Sequence, residues 1–443
     1  MTWSLLRVKN NYRPDIDGLR AVAVLAVVLY HAFPNQVRGG FAGVDVFFVI
    51  SGFLISSIIF AEIAEGRFSI ASFYVRRVRR IFPALAVCLT FVLVFGFIYL
   101  VPFELAQVGK HVFFGASFLS NVALWSESGY FDSEAHFKPL LHLWSLGIEE
   151  QFYIVWPALL LIVYQARVKL GRVLGLLLLI SFAVNVMLAA TDISADFYLP
   201  ISRFWELLAG AVLAALRWNE PVFRIRSLVS ISGLVALLGS FALLSAHIRF
   251  PGWFALLPVA GAMALIWAGP EPIANKRILS NRVVVLVGLI SYPLYLWHWP
   301  LLSFAYIFRG GKPPTPLMAA ALVAVSFLLA WVTYRFVESP VRFGRYRRDL
   351  TKLAAICVTV LGLAGLTTWI AHGFSGRFPG LDIRKISEAK SDADFKATKG
   401  MEVFDHNATL ITQIGRGERK VALAGDSLLF HYGPRVQQLA DDG

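Results

Sequence analysis

Two residues able to do chemistry stand eleven apart in an otherwise apolar stretch. Residues 18–33 read G-L-R-A-V-A-V-L-A-V-V-L-Y-H-A-F, with Arg20 near one end, His31 near the other and no charge between them. On an α-helix, eleven steps of about 100° make three turns with roughly 20° to spare. Both polar groups then share one face, about 16 Å apart along the axis. In lipid neither can face outward cheaply, and an ionisable residue inside a membrane helix is a functional candidate by default. The plainer alternative makes Arg20 an anchor at the membrane edge and His31 an interfacial residue.

The following apolar stretch, G-G-F-A-G-V-D-V-F-F-V-I-S-G-F-L-I, carries Asp45 at its start and Ser51 at mid-depth. A short loop separates it from His31, so the two helices should be antiparallel neighbours with His31 and Asp45 near one surface. A His–carboxylate pair fixes the imidazole tautomer and suits a general base; the alternative is a helix-terminal Asp in water. In F-Y-V-R-R-V-R-R-I-F-P, Arg77 and Arg80 share a helix face. Such arginine forks suit phosphate, although anchoring at the cytoplasmic surface also explains them. L-W-S-L-G-I-E-E-Q-F-Y places Glu149 and Glu150 about one turn inside a hydrophobic helix, with Tyr153 one turn on. One glutamate is expected to face the interior and the other to stay near the interface. Arg203 and Glu206, and again Arg335 and Glu338, are spaced i, i+3 and can pair. S-Y-P-L-Y-L-W-H-W-P sets Tyr292, Tyr295 and His298 among prolines that should break the helix on either side of His298; broken membrane helices tend to line cavities.

These residues need elements to hold them, and composition says what kind. Of 443 residues, 57% are hydrophobic and 16% charged, against about 25% charged in soluble domains. The chain reads as a polytopic membrane protein. Its net charge of +13 does not point to nucleic acid, because most basic residues lie in short loops between apolar runs. Two cysteines, Cys88 and Cys357, both in apolar runs, exclude a disulfide framework and a cysteine-ligated zinc site. No metal is expected. The first apolar run lacks a small-residue cleavage signal and is kept as a span.

Eleven spans are expected, near 18–33, 41–61, 81–101, 144–165, 173–190, 200–217, 228–246, 253–268, 283–308, 316–337 and 353–371, with 111–125 re-entrant or interfacial. With the N-terminus in the cytoplasm, the inside segments hold 22 Lys and Arg and the outside loops six, the asymmetry of the positive-inside rule. Everything after 371 then lies outside the cytoplasm. Residues 372–418 read as a linker. K-V-A-L-A-G-D-S, ending at Ser427, and the apolar-periodic run after it read as the first strand–turn–helix of an α/β domain over 419–443, cut short or vestigial because one strand and one helix cannot bury a core.

Taken together and in order, R-x10-H, G-V-D-V-F-F-V-I-S-G-F-L-I, F-Y-V-R-R-V-R-R-I-F-P, L-W-S-L-G-I-E-E-Q-F-Y, S-Y-P-L-Y-L-W-H-W-P and R-F-V-E-S-P resemble the acyltransferase-3 family of bacterial integral-membrane O-acyltransferases, over about residues 11–345. The further span and the Gly-Asp-Ser turn resemble the subgroup that carries a periplasmic SGNH domain behind the membrane domain and O-acetylates cell-envelope sugars such as lipopolysaccharide O-antigen. The resemblance implies an all-α polytopic membrane bundle, a ten-helix acyltransferase core over 1–345 plus an eleventh helix over 346–371, followed by the start of an SGNH-like α/β domain. It implies an enzyme of the inner membrane, with its C-terminus periplasmic. This enzyme would take acetyl from cytoplasmic acetyl-CoA to a sugar, free or lipid-linked, on the far side. His31 would be the base or a transient acyl carrier, Arg20 its companion in the CoA channel, Arg77 and Arg80 the phosphate ligands, Glu149 a pocket residue, and Ser427 the SGNH nucleophile. Asp45 is the further catalytic candidate; Ser51, Tyr153, Arg203, Glu206, Tyr295, His298, Arg335 and Glu338 complete the expected pocket. The SGNH pattern needs a late Asp-x-x-His, and the sequence contains none after Ser427. The alternatives are a transporter of an acyl donor or lipid-linked sugar without chemistry, and a scaffold anchoring an esterase-like domain.

Overall fold

Long apolar runs with few interior breakers leave the backbone one economical solution in lipid, the α-helix. A computed structural model describes residues 12–128, 135–216, 223–245, 248–377, 402–406 and 409–413. The chain forms two compact units, residues 1–373 and 374–443. In the first the helices are α1 (Pro14–Ala32), α2 (Gly43–Ala64), α3 (Ile70–Tyr99), α4 (Pro102–Ala116), α5 (Ser120–Glu127), α6 (Leu143–Gln165), α7 (Leu170–Thr191), α8 (Ile193–Tyr198), α9 (Pro200–Ala215), α10 (Phe223–Leu243), α11 (Leu256–Ala268), α12 (Arg282–Leu289), α13 (Ser291–Phe308), α14 (Pro316–Thr333), α15 (Ser339–Phe343) and α16 (Arg347–Ile370). Local signals set their starts. Proline opens α1, α4, α9 and α14, where its missing N–H is harmless. Ser69 and Thr315 cap α3 and α14 by accepting from Ser72 N and Met318 N. In the second unit, β1 (Glu402–His406) and β2 (Thr409–Gln413) pair antiparallel, Glu402 opposite Gln413. The expected strand–turn–helix over 419–443, Ser427 included, lies outside the described residues.

A helix stands at each of the eleven expected spans. Among the described residues, seven are long and apolar enough to cross a membrane, and an eighth if α12 and α13, bent by 65° at their junction, count as one. This is a multi-pass membrane protein. The expected spans that fall short do so for two reasons. Asp15, Asp17 and Arg20 lie in the first half of α1, whereas α9 and the Gly252–Ala268 stretch have only 16 and 17 residues. Segment 111–125 is not one span either: α4 ends at Ala116, and Phe118 takes φ +57° before α5 begins. The break near His298 also differs from expectation. It falls at Ile290, while Pro300 sits inside an unbroken α13. Proline at 300 supplies no N–H to the Leu296 carbonyl one turn back, and Cys88 Sγ donates to that carbonyl at 3.4 Å.

The bundle core centres on α2 against α9, and glycine decides how closely they approach. A Cβ at Gly52 would collide with the Leu207 carbonyl oxygen, and one at Gly210 with that of Val49. Near this crossing, Arg203 of α9 reaches Asp45 of α2 at 3.1 Å and Glu206, one turn along its own helix, at 3.3 Å. All three are fully buried. The guanidinium carbon lies 5.6–5.9 Å from the ring centres of Phe48, Trp144, Phe197 and Phe250, a range for cation–π attraction. Removing one partner of a buried pair costs about 3–5 kcal/mol, because the other charge is stranded. Arg203→Met should therefore lower the thermal stability of the detergent-solubilised protein by that order. Adding Asp45→Asn and Glu206→Gln to it should recover part of the loss. Equal stability of wild type and Arg203→Met in a thermal melt would remove the cluster from the core's support.

Candidate functional site

A second group of charges, separate from the α2–α9 cluster, surrounds one cavity. It measures about 470 Å³ and is walled by α1, α2, α3, α6, the α12–α13 junction and the Tyr334–Phe343 stretch. Arg20, Arg77, Arg80 and Arg342 line it, with Asp17, Tyr12 and Tyr334. Ser51, Glu149, Tyr153, Ser145 and Tyr295 line it too, and Phe47, Ile50, Leu54 and Ile55 supply apolar wall. A larger recess of about 670 Å³, between α3, α13, α15 and α16, is almost wholly apolar and holds none of these ionisable groups.

The four arginines are held in three ways. Arg20 meets Asp17 at 3.5 Å. Arg80 and Arg342 share Glu338, at 3.0 and 2.6 Å. Arg77 lies 5.7 Å from the centre of the Tyr153 ring and forms no ion pair among the described residues. It is the cation best placed to take an incoming anion. Glu149 accepts from Ser51 Oγ and, at 3.3 Å, from the Tyr153 hydroxyl. Outside the helices, partial burial and the Asp17 carboxylate push the Tyr12 phenol up to about 12, so it stays a neutral donor beside the arginines. Both glutamates of the acidic pair turn inward: Glu149 faces the cavity and Glu150 is buried, so neither sits at the interface as expected.

Tyr295 forms the wall between the cavity and a histidine cluster. Its hydroxyl donates to the His142 carbonyl at 2.6 Å and lies 2.7 Å from Ser145 Oγ. One turn along α13, the fully buried His298 sets Nε2 3.0 Å from His31 Nδ1 and Nδ1 2.7 Å from the Tyr295 carbonyl oxygen. The His31 ring also packs on Trp299, with centres 4.6 Å apart. The His142 ring lies 5.8 Å from that of His298 and 5.3 Å from that of Tyr295.

The partner expected for His31 is therefore corrected. Asp45 faces α9 and is taken by Arg203; the imidazole meets His298 instead. The Arg335–Glu338 pairing is corrected as well. Tyr334–Glu338 winds as a π-helix, so i, i+3 neighbours no longer stack. Glu338 goes to Arg80 and Arg342, and Arg335 is exposed beside Phe336. Arg203 and Glu206 do pair, but away from the cavity. Tyr12, Asp17, Ser145, Tyr334, Arg342 and His142 were not anticipated. Ser145 lies in the same motif as Glu149 and His142 immediately before it, the one signal that pointed to them. Among the described residues, no group of three or more His, Cys, Asp or Glu is arranged to hold a metal ion.

Cysteine accessibility checks the cavity itself. In a Cys88→Ala/Cys357→Ala background, Ser51→Cys should react with a small hydrophilic thiol reagent in membranes. Ala209→Cys, packed in α9 at the core, should not. Equal protection of both would mean water does not reach Ser51.

The "Acyltransferase domain" family model matches residues 13–335. Peptidoglycan O-acetyltransferase OatA of Listeria monocytogenes serovar 1/2a is 32% identical over 355 residues, 76% of this chain and 57% of that protein. O-acetyltransferase OatA of Staphylococcus aureus strain NCTC 8325 / PS 47 is 30% identical over 407 residues, 86% of this chain and 66% of that protein. A putative O-acetyltransferase of Staphylococcus aureus strain MSSA476 is 32% identical over 352 residues, 75% of this chain and 58% of that protein. The chain thus spans 57% to 66% of the length of these relatives. No solved structure matches.

Proposed function

Because the chain belongs to the acyltransferase family whose model covers residues 13–335, we propose that it carries an acetyl group from acetyl-CoA through the bundle to a hydroxyl of a cell-envelope sugar. The observation that carries this reading is one cavity with four arginines in its lining and a tyrosine wall backed by the His298–His31 pair. CoA is a polyanion that cannot enter lipid uncompensated. Arg20, Arg77, Arg80 and Arg342 suit its phosphates, since guanidinium forks bind phosphate bidentately. The apolar wall of Phe47, Ile50 and Leu54 suits an extended pantetheine arm. The roughly 16 Å from Arg20 to His31 is about half the hydrocarbon thickness, within reach of that arm.

Acetyl-CoA supplies an activated acyl carbonyl. The residues then do the following. His31 accepts the proton of the acceptor hydroxyl as its oxygen bonds to the acyl carbon. The carbon–sulfur bond breaks with its electron pair on sulfur, and His31 returns the proton to the thiolate. Glu149, held by Ser51 and Tyr153, orders the polar part of the cavity. The arginine-rich end faces the cytoplasm, in keeping with the excess of basic residues in those loops, and the histidine end faces outward. The protein would thus sit in a bacterial inner membrane with its N-terminus cytoplasmic and its C-terminus periplasmic. The acceptor is a glycan of the envelope: peptidoglycan, as the Listeria relative's name states, or a lipopolysaccharide O-antigen.

Two variants in membrane vesicles test this, with labelled acetyl-CoA as donor and peptidoglycan fragments or O-antigen as acceptors. His31→Ala should lose transfer on the order of 10²–10⁴-fold while still folding. Arg77→Ala should raise the KM for acetyl-CoA about ten- to 150-fold, the equivalent of one charge-assisted hydrogen bond of about 1.5–3 kcal/mol, with a smaller effect at high salt. Undiminished transfer by His31→Ala would end this reading.

A further inference from the structure

We infer that His298 is a positioning residue that locks His31 as the Nδ1–H tautomer and leaves His31 Nε2 bare to take a proton. The inference rests on the reading of His31 as the base, but its geometry stands by itself. His298 Nδ1 faces two backbone carbonyl oxygens, Tyr295 at 2.7 Å and Leu294 at 3.3 Å. Carbonyls only accept, so this nitrogen carries a proton. A neutral His298 then has a bare Nε2. The 3.0 Å contact between that atom and His31 Nδ1 needs one proton between them, and His31 must supply it. Its second nitrogen is left with a free lone pair.

The reverse arrangement would need a doubly protonated His298. Among the described residues, no carboxylate forms an ion pair with His298 or His31. The nearby acid in sequence, Asp45, is committed to Arg203. The groups that face the pair are the His142 ring, Tyr295, Trp299 and Tyr30, with His136 farther off, none of which supplies a negative charge in its ordinary form. A second proton would thus be a buried charge with no partner. His298 does for His31 what the buried carboxylate does in a Ser-His-Asp triad, fixing ring and tautomer through Nδ1, but it does so as a neutral acceptor. The backbone of α13 sets it in turn: the Tyr295 carbonyl holds His298, while the Tyr295 side chain closes the cavity.

The test reads the tautomer without turnover. Full-length protein labelled with ¹⁵N-histidine, in detergent, has nine histidines, and the His31 signals are assigned as those missing in His31→Ala. Native His31 should show a protonated Nδ1 and a bare Nε2. His298→Leu should shift His31 toward the Nε2–H form and lower kcat on the order of 10²–10⁴-fold, with the KM for acetyl-CoA near native. His298→Gln, whose amide oxygen can still accept from Nδ1–H, should keep the native spectrum and most of the rate. A native His31 protonated at Nε2, or native kcat in His298→Leu, would overturn the inference. Retained transfer by His31→Ala would instead defeat the reading of His31 as base, and the spectrum would still decide the tautomer.

Discussion

Hydrocarbon offers no partner to a charge, so an ionisable group carried into this bundle is costly unless it meets a counterpart inside it. Two groups of interior charges meet that requirement in different ways. One group of charges is self-contained: Asp45, Arg203 and Glu206 lie fully buried where α2 crosses α9. The other is spread around an open cavity, with Asp17 and Glu338 partnering three of its four arginines and Arg77 resting on the Tyr153 ring. Exposed pairs contribute about 0–1 kcal/mol, but breaking a buried pair costs several. The first group therefore belongs to stability. The second, whose cations face space, is free to meet a ligand.

The same constraint explains why some of the charge-bearing helices make poor membrane spans by composition, although α2, α3 and α6, which also wall the cavity, qualify as spans. Charges or a short length exclude α1 and α9 from the apolar class, and α13 joins it only together with α12. They are tolerated because α2, α6, α7, α10 and α14 are apolar enough to stand beside them. Several of those carry large apolar side chains outward, such as Leu176 and Leu179 on α7 and Leu317 and Leu328 on α14. With charge kept interior, two kinds of polar chemistry become neighbours without mixing. The arginine-lined cavity stops at Tyr295, and the imidazoles begin one helical turn behind it.

How much of this the sequence disclosed depends on how local each feature is. Arg20, Arg77, Arg80, Glu149, Ser51, Tyr153 and Tyr295 all line the cavity, and each stood out as polar or ionisable in an apolar run. The helices themselves were legible for the same reason. Partnerships were not. Asp45 and His31 are close along the chain, yet Asp45 pairs with a residue 158 positions away, because the glycine-lined α2–α9 contact brings them together. Glu338 left the i, i+3 partner that α-helical spacing assigns it because a π-helical stretch turns it toward Arg80. His298 stood out for its prolines, but its contact with His31 spans 267 positions. Arg342 and Asp17 lie in no motif that singled them out, and only the packing shows that they share a wall.

The proposed transfer differs from a transport path in one respect: only the acyl group would cross. The direct measurement uses purified protein in sealed proteoliposomes, with acetyl-CoA labelled separately on the acetyl group and on the CoA moiety, and the sugar acceptor confined to the opposite compartment. The acetyl label should appear on the acceptor while the CoA label stays on the donor side. Passage of both labels together, or esters formed only when acceptor and donor share a compartment, would contradict it.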